Sequence, residues 1–333
     1  MMEKKNNKRR RELLFLWLLL TSMLLTTTSY AWFTANRVVE IDTLNLHVQA
    51  SGGIEISSDA TNWKNILTNE DIKNARDNYP TSRNQLPYLF EPVSTGGTVD
   101  NNGLLKMYYG NTQNITAEDF ILTSKRIMET ESFGTDSTGK YVSFDVFFKT
   151  SNAVTLYLTN KSKVLYVSDN KDYSGIENAI RGAFLEEGNT SSTSSIYTMQ
   201  NMNGATKAYI WEPNYDVHTQ YGLENALNIY GITTSMANAA ALSYDGVIEE
   251  IPENQNIALG NASANNYPAY FKEVNVDAAT KKDFTESREI ISLKEGVTKV
   301  RIYIWIEGQD VDCENNASTG DVTVDLELTT NPG

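Results

Sequence analysis

Residues 300–307 read Val-Arg-Ile-Tyr-Ile-Trp-Ile-Glu, an unbroken alternation of aliphatic side chains with charged or aromatic ones. Successive side chains of a β-strand point to opposite faces of its sheet, so the four aliphatic residues share one face. The alternation predicts a strand that buries this aliphatic face and exposes the other face to water. The residues expected on the exposed face are Arg301, Tyr303, Trp305 and Glu307.

The same two-residue period recurs along the chain. Residues 322–328 alternate aliphatic side chains with Thr, Asp and Glu, and similar patterns cover residues 54–56, 142–148, 154–158 and 164–166. Clusters of Asn, Ser, Thr and Gly separate these segments. Several short alternating strands with polar connections predict an all-β fold, specifically a jelly-roll-like sandwich of two antiparallel sheets.

One or two short helices are expected as insertions into this sandwich. Ser174 and Glu177 form a capping-box pattern, apolar residues at 176, 180, 183 and 184 fall on one helical stripe, and Gly188 supplies a stop. A weaker helical pattern covers residues 223–230, followed by Gly231. We expect residues 43–333 to form one elaborated domain with a helical insertion near residues 174–230.

The first 31 residues have the three parts of a secretory signal peptide. A basic run precedes an apolar segment beginning at Leu13, and the stretch ends in Ser29-Tyr30-Ala31. Small side chains at Ser29 and Ala31 fit the −3 and −1 positions of a cleavage after Ala31. The alternative is an uncleaved anchor, although the apolar stretch is short for a membrane-spanning helix. Contact with a membrane is expected only through this segment before cleavage.

The amino-acid composition argues against some functions and against stabilisation by a disulfide. The chain of 333 residues carries 28 basic and 42 acidic side chains, a formal charge of −14, which argues against nucleic acid as a partner because phosphates require a basic face. A single cysteine excludes an intramolecular disulfide, so the fold must depend on its core.

Residues 32–50 cannot form one regular strand that faces one core. Val39 and Ile41 are at odd-numbered positions, whereas Leu44, Leu46 and Val48 are at even-numbered positions. Because a one-residue shift turns every side chain to the opposite face, either a bulge lies near residues 42–43 or the segment forms two elements. In the second case residues 32–42 are a separable N-terminal arm.

The same region resembles a known family. Ser29-Tyr30-Ala31, then Trp32-Phe33-Thr34-Ala35-Asn36, a polar spacer and Thr43-Leu44-Asn45-Leu46 are similar to the N-terminus of the TasA/camelysin group of secreted proteins. Asn45 stands where those relatives often have Asp, and the early acidic residue expected after the aromatic pair is missing. The similarity covers about twenty residues together with the acidic, β-rich character of the remainder.

The resemblance implies a jelly-roll subunit of extracellular biofilm fibres, exported by a Gram-positive-type bacterium and cut by a SipW-type signal peptidase. It also implies that the N-terminal arm is donated to the next subunit, where backbone hydrogen bonds and side-chain pockets hold it. Partners would be further copies of the chain or related fibre subunits. The donor side chains would be Trp32, Phe33, Val39 and Ile41.

An acidic run at residues 307–314 follows the strand predicted at residues 300–306. Oxygen ligands at alternate positions of a glycine-containing loop could bind calcium, although the spacing is not that of an EF-hand. The alternative is a solvated acidic loop. No other cofactor is expected. The candidate ligands are Glu307, Asp310, Asp312 and Glu314.

Signals for an enzyme are absent from the sequence. His47 and His218 are the only histidines, and no metal-protease, nucleophile-elbow or phosphate-loop motif occurs. Cys313 lies among carboxylates, which disfavour a reactive thiolate. Aromatic residues such as Trp63, Trp211 and Tyr215 could stack on sugars if exposed, but packing in a core or an interface is their commoner use. Besides a fibre subunit, the alternatives are a monomeric surface adhesin or carbohydrate-binding sandwich and, third, a secreted hydrolase.

Overall fold

The structure is a computed structural model of the chain. It describes residues 39–40, 43–48, 53–87, 89–114, 120–129, 133–134, 139–167, 175–230, 232–281, 287–313 and 321–332.

Strands make up most of the regular structure. They are β1 (Val39–Glu40), β2 (Thr43–Val48), β3 (Glu55–Ser57), β4 (Leu86–Pro87), β5 (Leu89–Phe90), β6 (Val93–Ser94), β7 (Met107–Asn114), β8 (Phe120–Ile127), β9 (Phe133–Gly134), β10 (Val142–Thr150), β11 (Val154–Leu158), β12 (Lys163–Val167), β13 (Ile180–Thr190), β14 (Tyr209–Glu212), β15 (Tyr244–Val247), β16 (Ile257–Ala258), β17 (Phe271–Val274), β18 (Ala278–Ala279), β19 (Arg288–Leu293), β20 (Gly296–Ile306) and β21 (Asp321–Thr329). The α-helices are α1 (Asn69–Lys73), α2 (Ile196–Gln200), α3 (Gln220–Tyr230) and α4 (Thr234–Ala237). Short 3₁₀ helices cover Asn74–Asp77, Glu253–Gln255 and Leu259–Asn261.

A six-stranded sheet lies at the centre, in the order β18-β14-β13-β20-β10-β3. Strand β20 pairs antiparallel with β10 on one side and β13 on the other, and all of its residues are buried. The alternating pattern at residues 300–306 thus marks the middle of the sheet.

A second sheet packs against the aliphatic face of the first. Its order is β12-β21-β11-β19, and β2 adds to β21 in parallel. The even-numbered aliphatic residues of β20 and those of β21 belong to one buried cluster, which also takes in the aliphatic face of β10. The predicted all-β sandwich with few, short helices is confirmed, with 41% strand and 13% helix.

The predicted exposure of the other face of β20 is wrong. Arg301, Tyr303, Trp305 and Glu307 are at most 2% exposed. A further sheet, in the order β16-β8-β7-β6, and the antiparallel pair β15-β17 supply a third layer. Tyr303 and Trp305 pack there with Leu105, Met107 and Tyr244. Alternation shows that the two faces of a strand carry different types of side chain. Whether the second face of β20 is exposed to water depends on whether residues far away in the sequence cover it.

The helix predicted from residue 174 onward is also wrong, because residues 180–190 form β13. The apolar residues 176, 180 and 184 are four apart, a spacing that one helical face and one strand face both satisfy. Strand β13 is paired on both sides, with β14 and β20, so tertiary pairing overrides the local helical pattern. The second predicted helix is confirmed as α3 and begins three residues earlier than expected.

The N-terminal segment forms two elements, which is the second of the two alternatives left open by its change from odd-numbered to even-numbered apolar positions. Strand β1 pairs antiparallel with β5, with Val39 opposite Phe90, whereas β2 pairs with β21. The predicted cleavage residues Ser29 and Ala31, and the predicted donor residues Trp32, Phe33 and Ile41, lie outside the described residues. Among the residues that are described, no helix has the length and apolar character needed to cross a membrane.

Candidate functional site

The most unusual feature of the interior is a group of charged residues on the covered face of the central sheet. Asp145 of β10 lies directly opposite Arg301 of β20 in the antiparallel register, and Lys299 is the next residue on the same face of β20. Asp145 is 1% exposed, Arg301 2% and Lys299 6%. Buried charges are costly unless they are paired and hydrogen-bonded, so this group requires a complete set of partners.

Asp145 receives those partners from three directions. Arg301 Nη1 donates to Asp145 Oδ1 at 2.8 Å, and the Tyr79 hydroxyl donates to Oδ2 at 3.0 Å. Lys299 Nζ lies 3.2 Å from the same Oδ2 atom. Burial alone would raise the pKa of Asp145, but the charges of Lys299 and Arg301 outweigh it and lower the pKa. Asp145 is therefore an ionised anchor for two buried cations.

A cavity of about 290 Å³ lies beside this network. Its floor is formed by buried residues, namely Asp145, Glu187, Lys299 and Arg301. Its rim includes side chains that are exposed, namely Thr81, Arg83, Asn102 and Asn203. Because both buried and exposed residues line it, the cavity reaches from the charged network to solvent.

Glu187 lines the cavity at an irregularity of β13. Glu186 pairs with Val300 and Gly188 pairs with Lys299, so Glu187 is an extra residue in a β-bulge. Bulges redirect side chains and occur frequently next to functional sites. The backbone of Gly188, with φ +146°, is in a region that L-amino acids rarely adopt, which fits the local distortion.

The Glu187 carboxyl is only partly satisfied. Its Oε2 accepts from the backbone N–H of Ala205 at 3.3 Å, whereas Oε1 is buried without a hydrogen-bond partner among the described residues. Glu187 is 3% exposed. Burial, followed by the negative charge of Asp145, raises the pKa of Glu187 to about 8. At neutral pH this carboxyl is mostly protonated.

Two carboxyl groups with opposite pKa shifts in one pocket are typical of acid–base pairs in hydrolases. Here, however, both oxygens of Asp145 are bound by cations or a phenol of the protein itself. The arrangement favours a structural role for Asp145. Of the two floor carboxyls, Glu187 is the one with an oxygen that has no hydrogen-bond partner among the described residues.

The predicted acidic site lies elsewhere, and the expectation of a solvated loop there is wrong. Glu307, Asp310 and Asp312 are 0%, 5% and 0% exposed. Asp310 forms an ion pair with Arg181, whose guanidinium also contacts Glu212 Oε1 at 2.7 Å. Burial raises the pKa of Glu307 to about 7 despite hydrogen bonds from Ser94 and Trp305. The fourth residue, Glu314, lies outside the described residues.

These carboxylates contact protein groups, an arrangement that does not favour calcium. Asp312 binds His218 and the backbone N–H of Thr219, and Glu307 accepts from Trp305 Nε1 at 2.9 Å. Within the described ranges, no three or more His, Cys, Asp or Glu residues are grouped so that they could hold a metal ion. The Cys313 thiol is buried.

Other predicted binding residues are scattered. Trp211 and Tyr215, which could stack on sugars only if exposed, are 0% and 8% exposed. Val39 of the predicted donor arm pairs within its own chain. Sequence reasoning missed the Asp145–Lys299–Arg301 group, although charged residues at alternate positions of otherwise apolar strands are a readable signal.

Comparison with protein-family models, with curated proteins and with solved structures gave no match.

Proposed function

We propose that this chain is a secreted structural subunit that assembles head-to-tail into extracellular or cell-surface fibres by donating its N-terminal arm after removal of the signal peptide. The proposal is supported by the two-residue ladder between β1 and β5, in which Val39 pairs with Phe90 and Glu40 with Leu89. This ladder marks a place on the body of the protein where the end of the arm fits.

A ladder of two residues holds the arm weakly. An isolated two-stranded ribbon is marginally stable in water even at greater length, and weakly held segments open locally without global unfolding. By contrast, the following strand β2 pairs with β21 over six residues, from Thr43 to Val48. The arm can therefore detach while β2 keeps the chain anchored in the sandwich.

Exchange between molecules follows from this asymmetry. If the arm of one subunit occupies the β5 position of the next, the same contacts form between chains, as in domain swapping. The arm and its acceptor are different surfaces, so each added subunit leaves a new acceptor free and the contact does not close. In this proposal, signal peptide removal releases the arm, because an arm tethered to a membrane cannot reach a neighbour.

Cysteine cross-linking tests the exchange directly. In a Cys313→Ser background, we would mix a Val39→Cys chain with a Phe90→Cys chain, both beginning at residue 32, under mild oxidation. We expect disulfide-linked dimers between the two variants. The matched control mixes Glu55→Cys with Lys149→Cys chains, which are opposite each other in β3 and β10 and should remain unlinked.

Electron microscopy provides a second test of the proposal. Chains that begin at residue 32 should form fibres, whereas chains that begin at residue 43, or that retain residues 1–31, should remain unassembled. Fibres from the chain beginning at residue 43, or only background cross-linking of Val39→Cys with Phe90→Cys, would overturn the proposal.

A further inference from the structure

We propose that the cavity beside β20 binds a single sugar residue, with the Glu187 carboxyl as its central hydrogen-bonding group. This inference is independent of the fibre proposal, since it uses neither β1 nor β5. It follows from the unsatisfied floor of the cavity, the chemistry of its free groups and its size.

The floor carries a buried polar atom that lacks a partner. Buried carboxyl oxygens are nearly always hydrogen-bonded, and leaving one unpaired is costly. Glu187 Oε1 is such an atom, and the bulge in β13 places its side chain on the cavity wall. A ligand group in the cavity would supply the missing partner.

The cations in the floor are already engaged, which argues against an anionic ligand. Lys299 Nζ donates to the Tyr79 hydroxyl at 3.0 Å and to the carbonyls of Gln200 at 3.1 Å and Met202 at 2.9 Å. These contacts use the three hydrogens of the ammonium group. Arg301 donates to Asp145, Ser143, Tyr303 and the carbonyl of Arg83.

A cationic ligand is disfavoured by the same residues. It would have to approach Glu187 beside the positive charges of Lys299 and Arg301, both of which line the cavity. A neutral hydroxyl group avoids this repulsion. It can accept a hydrogen bond from a protonated carboxyl or donate one to an ionised carboxyl, so it suits Glu187 in either state.

The size and rim of the cavity favour a sugar among neutral hydroxylated ligands. Its volume of about 290 Å³ lies at the small end of ligand sites, which run from roughly 300 to 1,000 Å³. The side chains of Thr81, Asn102 and Asn203 place hydroxyl and amide groups on the rim. One ring with several hydroxyl groups matches both features, either as a free monosaccharide or as the terminal residue of a longer glycan.

The test uses the chain beginning at residue 32 with glucose, galactose, mannose and N-acetylglucosamine as probes, observed by backbone-amide NMR. We expect saturable binding of at least one sugar, with shifts at the amides of Gly204 and Ala205, which adjoin Glu187. An oligosaccharide that ends in the same sugar distinguishes a free monosaccharide from the end of a glycan as the ligand. An affinity similar to that of the free sugar indicates recognition of a glycan end. Weaker or no binding of the oligosaccharide indicates that the site takes the free sugar.

Two matched pairs of variants locate the site. Glu187→Leu keeps the approximate volume but removes the carboxyl and should weaken binding about tenfold or more, the loss of one hydrogen bond of about 1.4 kcal/mol. Glu186→Leu, at the neighbouring position outside the cavity lining, should bind normally. Thr81→Trp should obstruct the rim without touching the charged network, and Thr193→Trp is its exposed control.

Three results would overturn the inference. One is the absence of saturable binding by every probe sugar, and another is amide shifts that map away from Gly204 and Ala205. The third is unchanged affinity in Thr81→Trp, an exposed substitution that keeps the proposal testable even if Glu187→Leu fails to fold.

Discussion

His218 Nδ1 lies 2.7 Å from Asp312 Oδ2, and both side chains are almost completely buried, at 3% and 0% exposure. The other ring nitrogen of His218 lies near the carbonyls of Tyr215 and Ala237. Burial disfavours the charged imidazole, but the hydrogen bond and charge of Asp312 outweigh it and raise the pKa of His218 to about 9. This contact joins the segment before α3 to the buried acidic turn that follows β20.

We predict that this pair makes stability depend on pH above neutrality. The pKa of His218 is higher in the folded chain than the usual 6.5, so protonation stabilises the fold. The contribution is fully present below pH 6.5 and is lost as the pH rises through about 9. His218→Asn should therefore lower the free energy of unfolding in urea by a few kcal/mol at pH 6, at about 1.4 kcal/mol per pKa unit, with a much smaller loss near pH 10.

The control for this prediction is His47→Asn, which changes the other histidine of the chain. It should leave the pH dependence of the wild-type protein in place. An NMR titration of the His218 imidazole near pH 6.5 would show that the pair with Asp312 does not hold the charge.

We predict that breaking the Asp145–Arg301 contact is costly. Asp145→Asn leaves two buried cations, Lys299 and Arg301, without their shared carboxylate. Removing one partner of a buried ion pair typically costs about 3–5 kcal/mol. Urea denaturation of the variant should show a loss in this range.

The matched control is an exposed pair. Lys207 Nζ lies 3.2 Å from Asp277, with side-chain exposures of 72% and 27%. Lys207→Ala should cost less than about 1 kcal/mol, since exposed ion pairs contribute little. Equal losses for Asp145→Asn and Lys207→Ala would contradict the structural importance of the buried network.

The sequence was sufficient for the strands whose two faces differ strongly. Residues 322–328 alternate without interruption and residues 142–148 do so except at Phe147, and both segments are strands, β21 and β10. It was insufficient for the environment of the second face of β20. That face is covered by residues near Leu105 and Tyr244, which are far away in sequence, and alternation carries no information about them.

The candidate site shows the same limit. Asp145, Lys299 and Arg301 stand out in their strands as charged residues, but the contact of Asp145 with Arg301 joins positions 156 residues apart. Only the pairing register of β10 and β20 reveals it. Glu187 depends on a bulge, and in the sequence the only hint is the following Gly188.

We predict that Gly182→Ala destabilises the fold, which also tests why residues 180–190 are a strand. A Cβ at this position would lie 2.7 Å from Trp211 Cε3, because the indole of β14 packs on the backbone of β13. Such overpacking typically costs about 1–3 kcal/mol. A helix at these positions would gain from alanine, so a more stable variant in thermal denaturation would contradict the strand assignment.

A companion variant separates crowding from other effects of alanine. Trp211→Leu removes the indole against which the new Cβ would press. In this background Gly182→Ala should cost less than in the wild-type chain, and the difference in a double-mutant cycle reports the contact.

We predict that Glu187→Gln stabilises the protein at alkaline pH. The pKa of Glu187 is raised to about 8 by burial, from 4.5, so folding favours its protonated form. The wild-type chain therefore loses stability as the pH rises from about 4.5 through 8, and glutamine, which stays neutral, avoids this loss. Urea denaturation at pH 9 should give the variant an advantage of up to a few kcal/mol, at about 1.4 kcal/mol per pKa unit, which vanishes at pH 4. The control variant Glu186→Gln should show no such pH-dependent advantage. If Glu187→Gln is no more stable than the wild-type chain at pH 9, the prediction is contradicted, and the Glu187 carboxyl is then well solvated in the cavity.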